Sequence, residues 1–302
     1  MIKSLLFSFA YCMTVWPTHA QENPTELTQL KTAVAAQLTV VKGTFAVVFR
    51  SVNNPRQALY LNEREVFHAA STMKTPVMIE VFDQAKAGKF KLSDSVVVTN
   101  EFRSIVDGSA YQMDISDDSA DEMYKRIGKK MTVRQLVYEM ITVSSNLATN
   151  ILIDKVGAPN VMNTMQELGA RDIRVLRGVE DKKAFDKGWN NTVTAYDLAL
   201  IFEKLARGQM VSRQACVEMI QVLKEQKFNS IIPARLPKEV QVAHKTGEIT
   251  GVRHDSGIVY LPDGEAYVLV LLSKNLENQK AGEEAMAKVS EMIYQFVKAQ
   301  PK

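Results

Sequence analysis

Segments that read as β-strands sit at the two ends of this chain, and the stretch between them, about residues 71–225, repeats its apolar residues at helical spacing instead. That distribution leaves few folds open. Residues 45–52 are rich in β-branched and aromatic side chains, Asn53-Asn54-Pro55 turns the chain, and a second strand over about 57–62 follows at hairpin distance. Far downstream, residues 240–246, 256–261 and 266–273 read as three more strands. The last two are joined by Pro262-Asp263-Gly264, whose proline presets a turn and whose glycine accepts positive φ. Two strands alone are marginal in water, so the early pair and the late three are expected in one sheet. A helix carrying Leu27, Leu30, Val34 and Leu38, and a closing one carrying Met286, Val289, Ile293, Phe296 and Val297, can cover it. The expected fold is α+β: an antiparallel five-stranded sheet flanked by N- and C-terminal helices, with an inserted all-helical subdomain. The sheet part takes residues 21–70 and 226–302, and the helical part 71–225. Such an insert is too long to be a loop, and a cleft between the two parts is where a site would form.

At 46% hydrophobic and 24% charged, the 302 residues can build a sizeable core. Their 37 Lys and Arg against 34 Asp and Glu leave a net charge of +3, which supplies no electrostatic case for a nucleic-acid partner. Residues 1–20 read as a secretory signal peptide: Lys3 gives a positive start, an apolar run extends from Leu5 to Trp16, and Ala20 is a small residue before Gln21. Cleavage near Ala20 would leave a secreted protein, periplasmic or extracellular. That apolar run is too short to span a bilayer, no later one is long enough, and no stable membrane insertion is expected. Outside the leader the sole cysteine is Cys216, so no internal disulfide can form, and its helical surroundings make it a packed residue. The four histidines form no cluster at metal-ligand spacing. An acidic stretch with Asp107, Asp114, Asp117, Asp118, Asp121 and Glu122 lacks the glycine and bidentate glutamate of a calcium loop, and reads as a solvated connection with local charge pairing.

Three short motifs fall at element boundaries facing the expected cleft. Ser71-Thr72-Met73-Lys74 precedes an apolar run that ends near Gly88. Pro76 is tolerated only near a helix start, so a helix begins close to Ser71, and the three-residue interval puts Lys74 on the face of the hydroxyl. A serine hydroxyl is a poor nucleophile until something takes its proton, which a lysine amine desolvated in a cleft can do. The bland reading is a serine cap beside an exposed lysine. Ser144-Ser145-Asn146 separates two helical stripes, and its side chains compete for backbone hydrogen bonds, so a kink is expected there. Ser144 would then shuttle a proton and Asn146 would meet a substrate carbonyl, whereas the bland reading is a cap on the second helix. Lys245-Thr246-Gly247 lies near a strand end, where a glycine marks a place of close approach. Lys245 and Thr246 suit an anionic substrate group, and the Glu248 N–H could pair with that of Ser71 as an oxyanion hole. The bland reading of this tripeptide is an exposed strand end.

Taken together and in this order, three phrases look like the serine penicillin-recognising enzymes, and most closely resemble class A β-lactamases. They are His68-Ala69-Ala70-Ser71-Thr72-Met73-Lys74-Thr75-Pro76, Thr142-Val143-Ser144-Ser145-Asn146-Leu147-Ala148 and His244-Lys245-Thr246-Gly247. The resemblance covers nearly all of the chain after the leader. It implies a β-lactamase/transpeptidase-like fold and acyl-enzyme chemistry that needs no cofactor and no metal. Ser71 would be the nucleophile, Lys74 its activating partner and Ser144 the proton shuttle. Asn146 would contact the substrate amide, Lys245 and Thr246 beside Gly247 its carboxylate, and the amides of Ser71 and Glu248 the oxyanion. The implied function is hydrolysis of the β-lactam amide, conferring antibiotic resistance, by a monomer acting on a small molecule. The alternative is a D,D-peptidase acting on cell-wall peptides, or an esterase, with slow release of β-lactams.

The sequence departs from that family at two places. Ser145 stands where the family usually has an aspartate that buttresses the loop, so altered rigidity is expected rather than lost chemistry. Release of the acyl group needs a base for water, and Leu176-Arg177-Gly178-Val179-Glu180 aligns Glu180 with the family's glutamate, with Asp181 as a rival. The residue four later is Ala184, not asparagine, and Gly178 and Asn191 stand where the family has an Arg–Asp pair. Whether Arg253 or His254 binds substrate is left open by the sequence.

Overall fold

The computed structural model describes residues 24–300. The expected leader and its cleavage site lie outside the described residues. The first helix, α1 (Pro24–Thr39), leads into the hairpin β1 (Thr44–Ser51) and β2 (Ala58–Leu61). The three late strands, β3 (Gln241–Ile249), β4 (Val252–Tyr260) and β5 (Ala266–Lys274), join them in one antiparallel sheet of order β2-β1-β5-β4-β3. The first hairpin therefore docks on the last strand, with Val47 opposite Leu271 and Phe49 opposite Leu269.

Alternation along β1 explains why both faces of the sheet are covered. Phe45, Val47 and Phe49 face α1 and the closing helix Gln279–Ala299, where Val34, Met286, Val289 and Ile293 complete one core. Ala46 and Val48 point the other way, into the core of the inserted part. A sheet buried on both sides needs apolar residues at consecutive positions, which is why β5 is buried from Ala266 to Ser273.

The insert is built around α2 (Lys74–Lys86), buried nearly all round. Even its polar residues turn inward: the Glu80 carboxylate accepts from the Gln84 amide (2.6 Å) and the Thr164 hydroxyl (2.5 Å). Against it pack α3 (Val133–Thr142) and α4 (Asn146–Val156). The helix Ala195–Ala206 lies across the sheet, and Cys216 is buried in the helix Arg213–Lys224 as a free thiol.

Three features differ from the sequence expectation. The stretch 71–225 also holds short ladders, Ser95–Val97 with Lys130–Thr132 and Phe102–Arg103 with Ala110–Tyr111, while Phe67–His68 pairs with Thr192–Val193 to tie the two parts together. Ladders of two or three residues are too short to show an alternating pattern, and side chains such as Asn100, bonded to both main-chain groups of Met113, hold them instead. The strand that carries Lys245-Thr246-Gly247 near its end runs past the expected limit at 246, continuing to Ile249 before the turn at Gly251, whose φ is +73°. Asp118 is buried, unlike its neighbours in the acidic stretch expected to be a solvated connection.

Gly257 of β4 faces His244 of β3, and a Cβ there would stand 2.4 Å from the Ala243 carbonyl oxygen and 2.8 Å from the His244 Cα. Backbone cannot yield as a side chain can. Gly257→Ala is expected to cost about 3 kcal/mol by overpacking, seen in thermal unfolding as a drop of roughly 6–12 °C in Tm.

Candidate active site

Ser71 sits in a 3₁₀ turn, Ala70–Met73, that runs straight into α2. The residue before it, Ala70, has φ of +44°, a conformation that non-glycine residues adopt only where the surroundings enforce it. Here the His68 ring nitrogen Nδ1 accepts from the Ala70 amide at 3.0 Å, and the Thr72 hydroxyl donates to the Ala69 carbonyl at 2.6 Å. The turn leaves Ser71 partly exposed while Thr72, Met73 and Lys74 are buried.

The second motif interrupts the helices as its residue types suggest. Ser144 has φ of +58°, and the Ser145 hydroxyl accepts from the Ala148 amide as the cap of α4. The cap and the cleft-facing residues thus coexist in one tripeptide. The Lys74 amine lies 2.6 Å from the Ser144 carbonyl oxygen, 3.1 Å from its Oγ and 2.8 Å from Asn146 Oδ1. From the other side, Lys245 Nζ lies 3.0 Å from the same Ser144 Oγ. Segments 70 and 101 residues from Ser144 therefore meet on one hydroxyl oxygen.

Gly247 lets β3 lie against the 3₁₀ turn. A Cβ at this position would stand 3.2 Å from the Ser71 amide nitrogen and 3.2 Å from the Ala70 Cβ. A space of 570 Å³ opens on one side of Ser71, walled by His68, Arg177, Glu180, Phe185 and Ile249. A smaller one of 220 Å³ lies on the other, between Ser144, Thr246, Arg253 and Glu283. Ser71, Asn146 and Glu248 line both.

Burial sets the protonation of the two amines. Desolvation pulls the Lys74 amine down to about 7, against the opposing pull of the Asp118 and Glu180 carboxylates. Lys245 is pushed well below the ordinary lysine range by burial first and by Lys74 second, with Asp255 opposing. With Lys74 neutral, one hydrogen-bond chain satisfies every group: Lys245 donates to Ser144 Oγ, Ser144 donates to the Lys74 nitrogen, and Lys74 donates to the Ser144 carbonyl and Asn146 Oδ1.

Glu180 stands on the cleft wall with φ of +62°, exposed to the cleft rather than to a bare surface. Partial desolvation and the charge of Asp117 raise its pKa, while Arg177 and Lys74 oppose. Its rival Asp181 is buried and its oxygens are occupied: they accept from the Ser104 hydroxyl, the Ile105 amide and the Ala184 amide. Asp181 caps the short helix Lys182–Asp186 and staples the loop to the 102–111 hairpin. Ala184 is fully buried and offers the cleft no polar group.

No Arg–Asp pair closes this loop, yet it is closed. The Asn191 amide accepts from Leu176 N and Arg177 N and donates to the Arg177 carbonyl, while the Arg177 guanidinium donates to Trp189 O, Gly178 O and Asn190 Oδ1. On the inner side Asn150 Oδ1 accepts from Val179 N at 2.7 Å, and its amide donates to the Val179 carbonyl at 3.0 Å. Gly178 makes room for this grip, since a Cβ there would meet Asn150 Oδ1 at 2.5 Å. Sequence reading missed Asn150, although its position one turn after Asn146 on an otherwise apolar stripe was a signal. Of the two groups left open by sequence, His254 is spent on the fold: Nε2 donates to the His68 carbonyl (2.8 Å) and Nδ1 accepts from Ser273 N (3.2 Å). Burial lowers it to about 4, which keeps it neutral. Arg253 lines the smaller space, paired with Glu248 and Glu283.

A family model described as the beta-lactamase enzyme family matches residues 28–297. The chain belongs to that family. Among curated proteins it is 26% identical over 269 residues to the extended-spectrum beta-lactamase PER-1 of Pseudomonas aeruginosa, covering 85% of this chain and 84% of the relative. It is 20% identical over 258 residues to the beta-lactamase VEB-1 of the same organism, covering 81% and 82%. Among solved structures it superposes on a beta-lactamase from Sphaerobacter thermophilus with a TM-score of 0.76 at 28% identity, covering 89% of this chain and 98% of that one. It superposes equally on PBP-A, with a TM-score of 0.78 at 26% identity, covering 91% and 97%. The five-stranded sheet and helical insert are thus the β-lactamase and penicillin-binding fold of these relatives.

Two outcomes follow for this β-lactamase family member. In protein labelled with ¹³C at lysine Cε, one resonance, identified by its loss in Lys74→Arg, is expected to titrate with a midpoint of about 7. Because the lowered group is a base, its neutral form is present above that pH and is lost below it. A midpoint at the ordinary lysine value would contradict the geometry. In Gly178→Ala, loss of the Asn150 grip should cost about 1 kcal/mol of local stability, a roughly fivefold rise in amide exchange across residues 176–191.

Proposed function

We propose that the protein is an exported serine β-lactamase that opens the lactam amide through an ester on Ser71 and so confers antibiotic resistance. What carries the reading is the meeting of the Lys74 and Lys245 amines on Ser144 Oγ beside Ser71, in a chain of the beta-lactamase enzyme family. A substrate carboxylate beside Lys245, Thr246 and Gly247 favours the ammonium form of Lys245, and that charge disfavours a second one on Lys74. Binding therefore readies the neutral Lys74 amine: once the Ser144 hydroxyl turns its proton from that nitrogen toward the lactam nitrogen, Lys74 takes the Ser71 proton as Oγ attacks the lactam carbonyl. The carbonyl oxygen gains negative charge, which the amides of Ser71 and Glu248 receive. As the C–N bond breaks, the proton passes from Lys74 through Ser144 Oγ to the leaving nitrogen. Asn146 holds the substrate amide throughout.

In the second half, Glu180 takes a proton from water, the oxygen of that water attacks the ester carbonyl, and Ser71 Oγ leaves with a proton returned to it. Asp181 is not the base in this reading, because its oxygens already accept three hydrogen bonds. The same reading places the leader at residues 1–20, the sheet part at 21–70 and 226–302, and the helical part at 71–225. It also takes the protein to act as a monomer.

Steady hydrolysis of a chromogenic cephalosporin is expected from the wild type, with a loss of at least about 10⁴-fold in Ser71→Ala. Glu180→Gln should still acylate, and intact-mass measurement should then find a penicilloyl adduct that the wild type clears. A wild type that holds the adduct and turns over a D-alanyl peptide or an ester would instead establish the peptidase or esterase alternative.

A further inference from the structure

The geometry points to Asp118 as a positioning residue for Ser144 and Asn146, supplying from a separate loop the carboxylate that the second motif lacks at Ser145. This rests on the β-lactamase reading of the same site. Asp118 is 7% exposed between the exposed Asp117 and Ser119. Its Oδ1 accepts from Asn146 N (3.1 Å) and Ala120 N (3.1 Å), and its Oδ2 from Leu147 N (2.8 Å), with the hydroxyls of Tyr124 at 3.3 Å and Ser145 at 3.5 Å.

Asn146 and Leu147 are the first two residues of α4, whose amides have no partner within the helix. A carboxylate there answers both the open donors and the positive end of the helix. The next residue back in the same loop completes the grip, because the Asn146 side-chain amide donates to the Asp117 carbonyl at 3.1 Å while its Oδ1 takes the Lys74 amine. Main chain and side chain of Asn146 are thus both fixed by residues 117–118. Ser144, strained at φ of +58°, immediately precedes this anchored turn, so its orientation toward Lys74 and Lys245 depends on the anchor. Ser145 cannot serve in its place: its hydroxyl already caps Ala148 N.

An exchange of the two residues tests this. Asp118→Ser is expected to slow acylation by penicillin about 10- to 100-fold, through misplacement of Asn146 and Ser144. Hydrolysis of an adduct already formed should stay within about threefold, because Glu180 is held by other residues. Ser145→Asp alone should also slow acylation, since it crowds a second carboxylate against the first. The double variant Asp118→Ser/Ser145→Asp should recover acylation to within about threefold of wild type, a coupling that independent structural damage would not give. If Asp118→Ser does not fold, Asp118→Asn keeps the shape and one acceptor, and should still slow acylation while its melting transition stays cooperative. A folded Asp118→Ser or Asp118→Asn that acylates at the wild-type rate, or a double variant slowed by the product of the single effects, overturns the positioning role. Wild-type protein that hydrolyses no penicillin, together with a Glu180→Gln variant that forms no adduct, overturns the underlying β-lactamase reading as well.

Discussion

Two lysine amines, shut away from solvent, share one serine oxygen, and the rest of the structure can be understood as what that arrangement requires. An unpaired buried ammonium is costly, which is why both amines shift downward, and the neighbouring Lys74 lowers Lys245 further. Each proton in the cluster must therefore find an acceptor within it. The carbonyl and hydroxyl of Ser144, the Asn146 oxygen and the Thr246 carbonyl provide four, and the neutral Lys74 nitrogen a fifth. A site of this kind can move a proton because it holds barely enough acceptors to fix where each one rests.

Such a cluster needs a rigid frame, and strain shows where the frame is working. Among the described residues six non-glycine residues have positive φ, and three of them are Ala70, Ser144 and Glu180 at the cleft. Each is held by named partners rather than by its own preference. The His68 ring and the Thr72 hydroxyl bracket Ala70, the Lys74 amine holds the Ser144 carbonyl, and the grip of Asn150 on Val179 fixes the residue before Glu180. Behind them, α2 is packed on every side and β3 is locked by ladder pairing to β4, so Lys74 and Lys245 approach Ser144 from elements with little freedom to shift.

Much of this frame was legible in the order of residues. The five strands announced themselves because both sheet faces are covered, which demands unbroken β-branched and aromatic runs, and the turn at Pro262-Asp263-Gly264 carried its own signal. The helix break at 144–145 was readable from side chains that compete with the backbone. Elements fixed by distant side chains were not readable. The two-residue ladders have no periodicity of their own, and Asp118 and Asp181 look like any acidic residue in a charged loop until the amides they accept from are in place. Asn191 and Arg177 close their loop through backbone carbonyls and amides, groups that every residue carries and no sequence pattern distinguishes.

Local chemistry, then, was settled by the chain itself: which hydroxyl precedes a lysine by three residues, where a helix must break, and which segments pair. These three properties depend on covalent neighbours and on hydrophobic periodicity, both of which are linear. The tertiary structure alone decided which carboxylates are buried, that burial lowers both amines, and which of two adjacent acids faces the cleft. These depend on desolvation and on hydrogen-bond partners drawn from segments as far apart as residues 74, 118, 144 and 245, and burial is a property of three-dimensional packing that no single stretch of sequence contains.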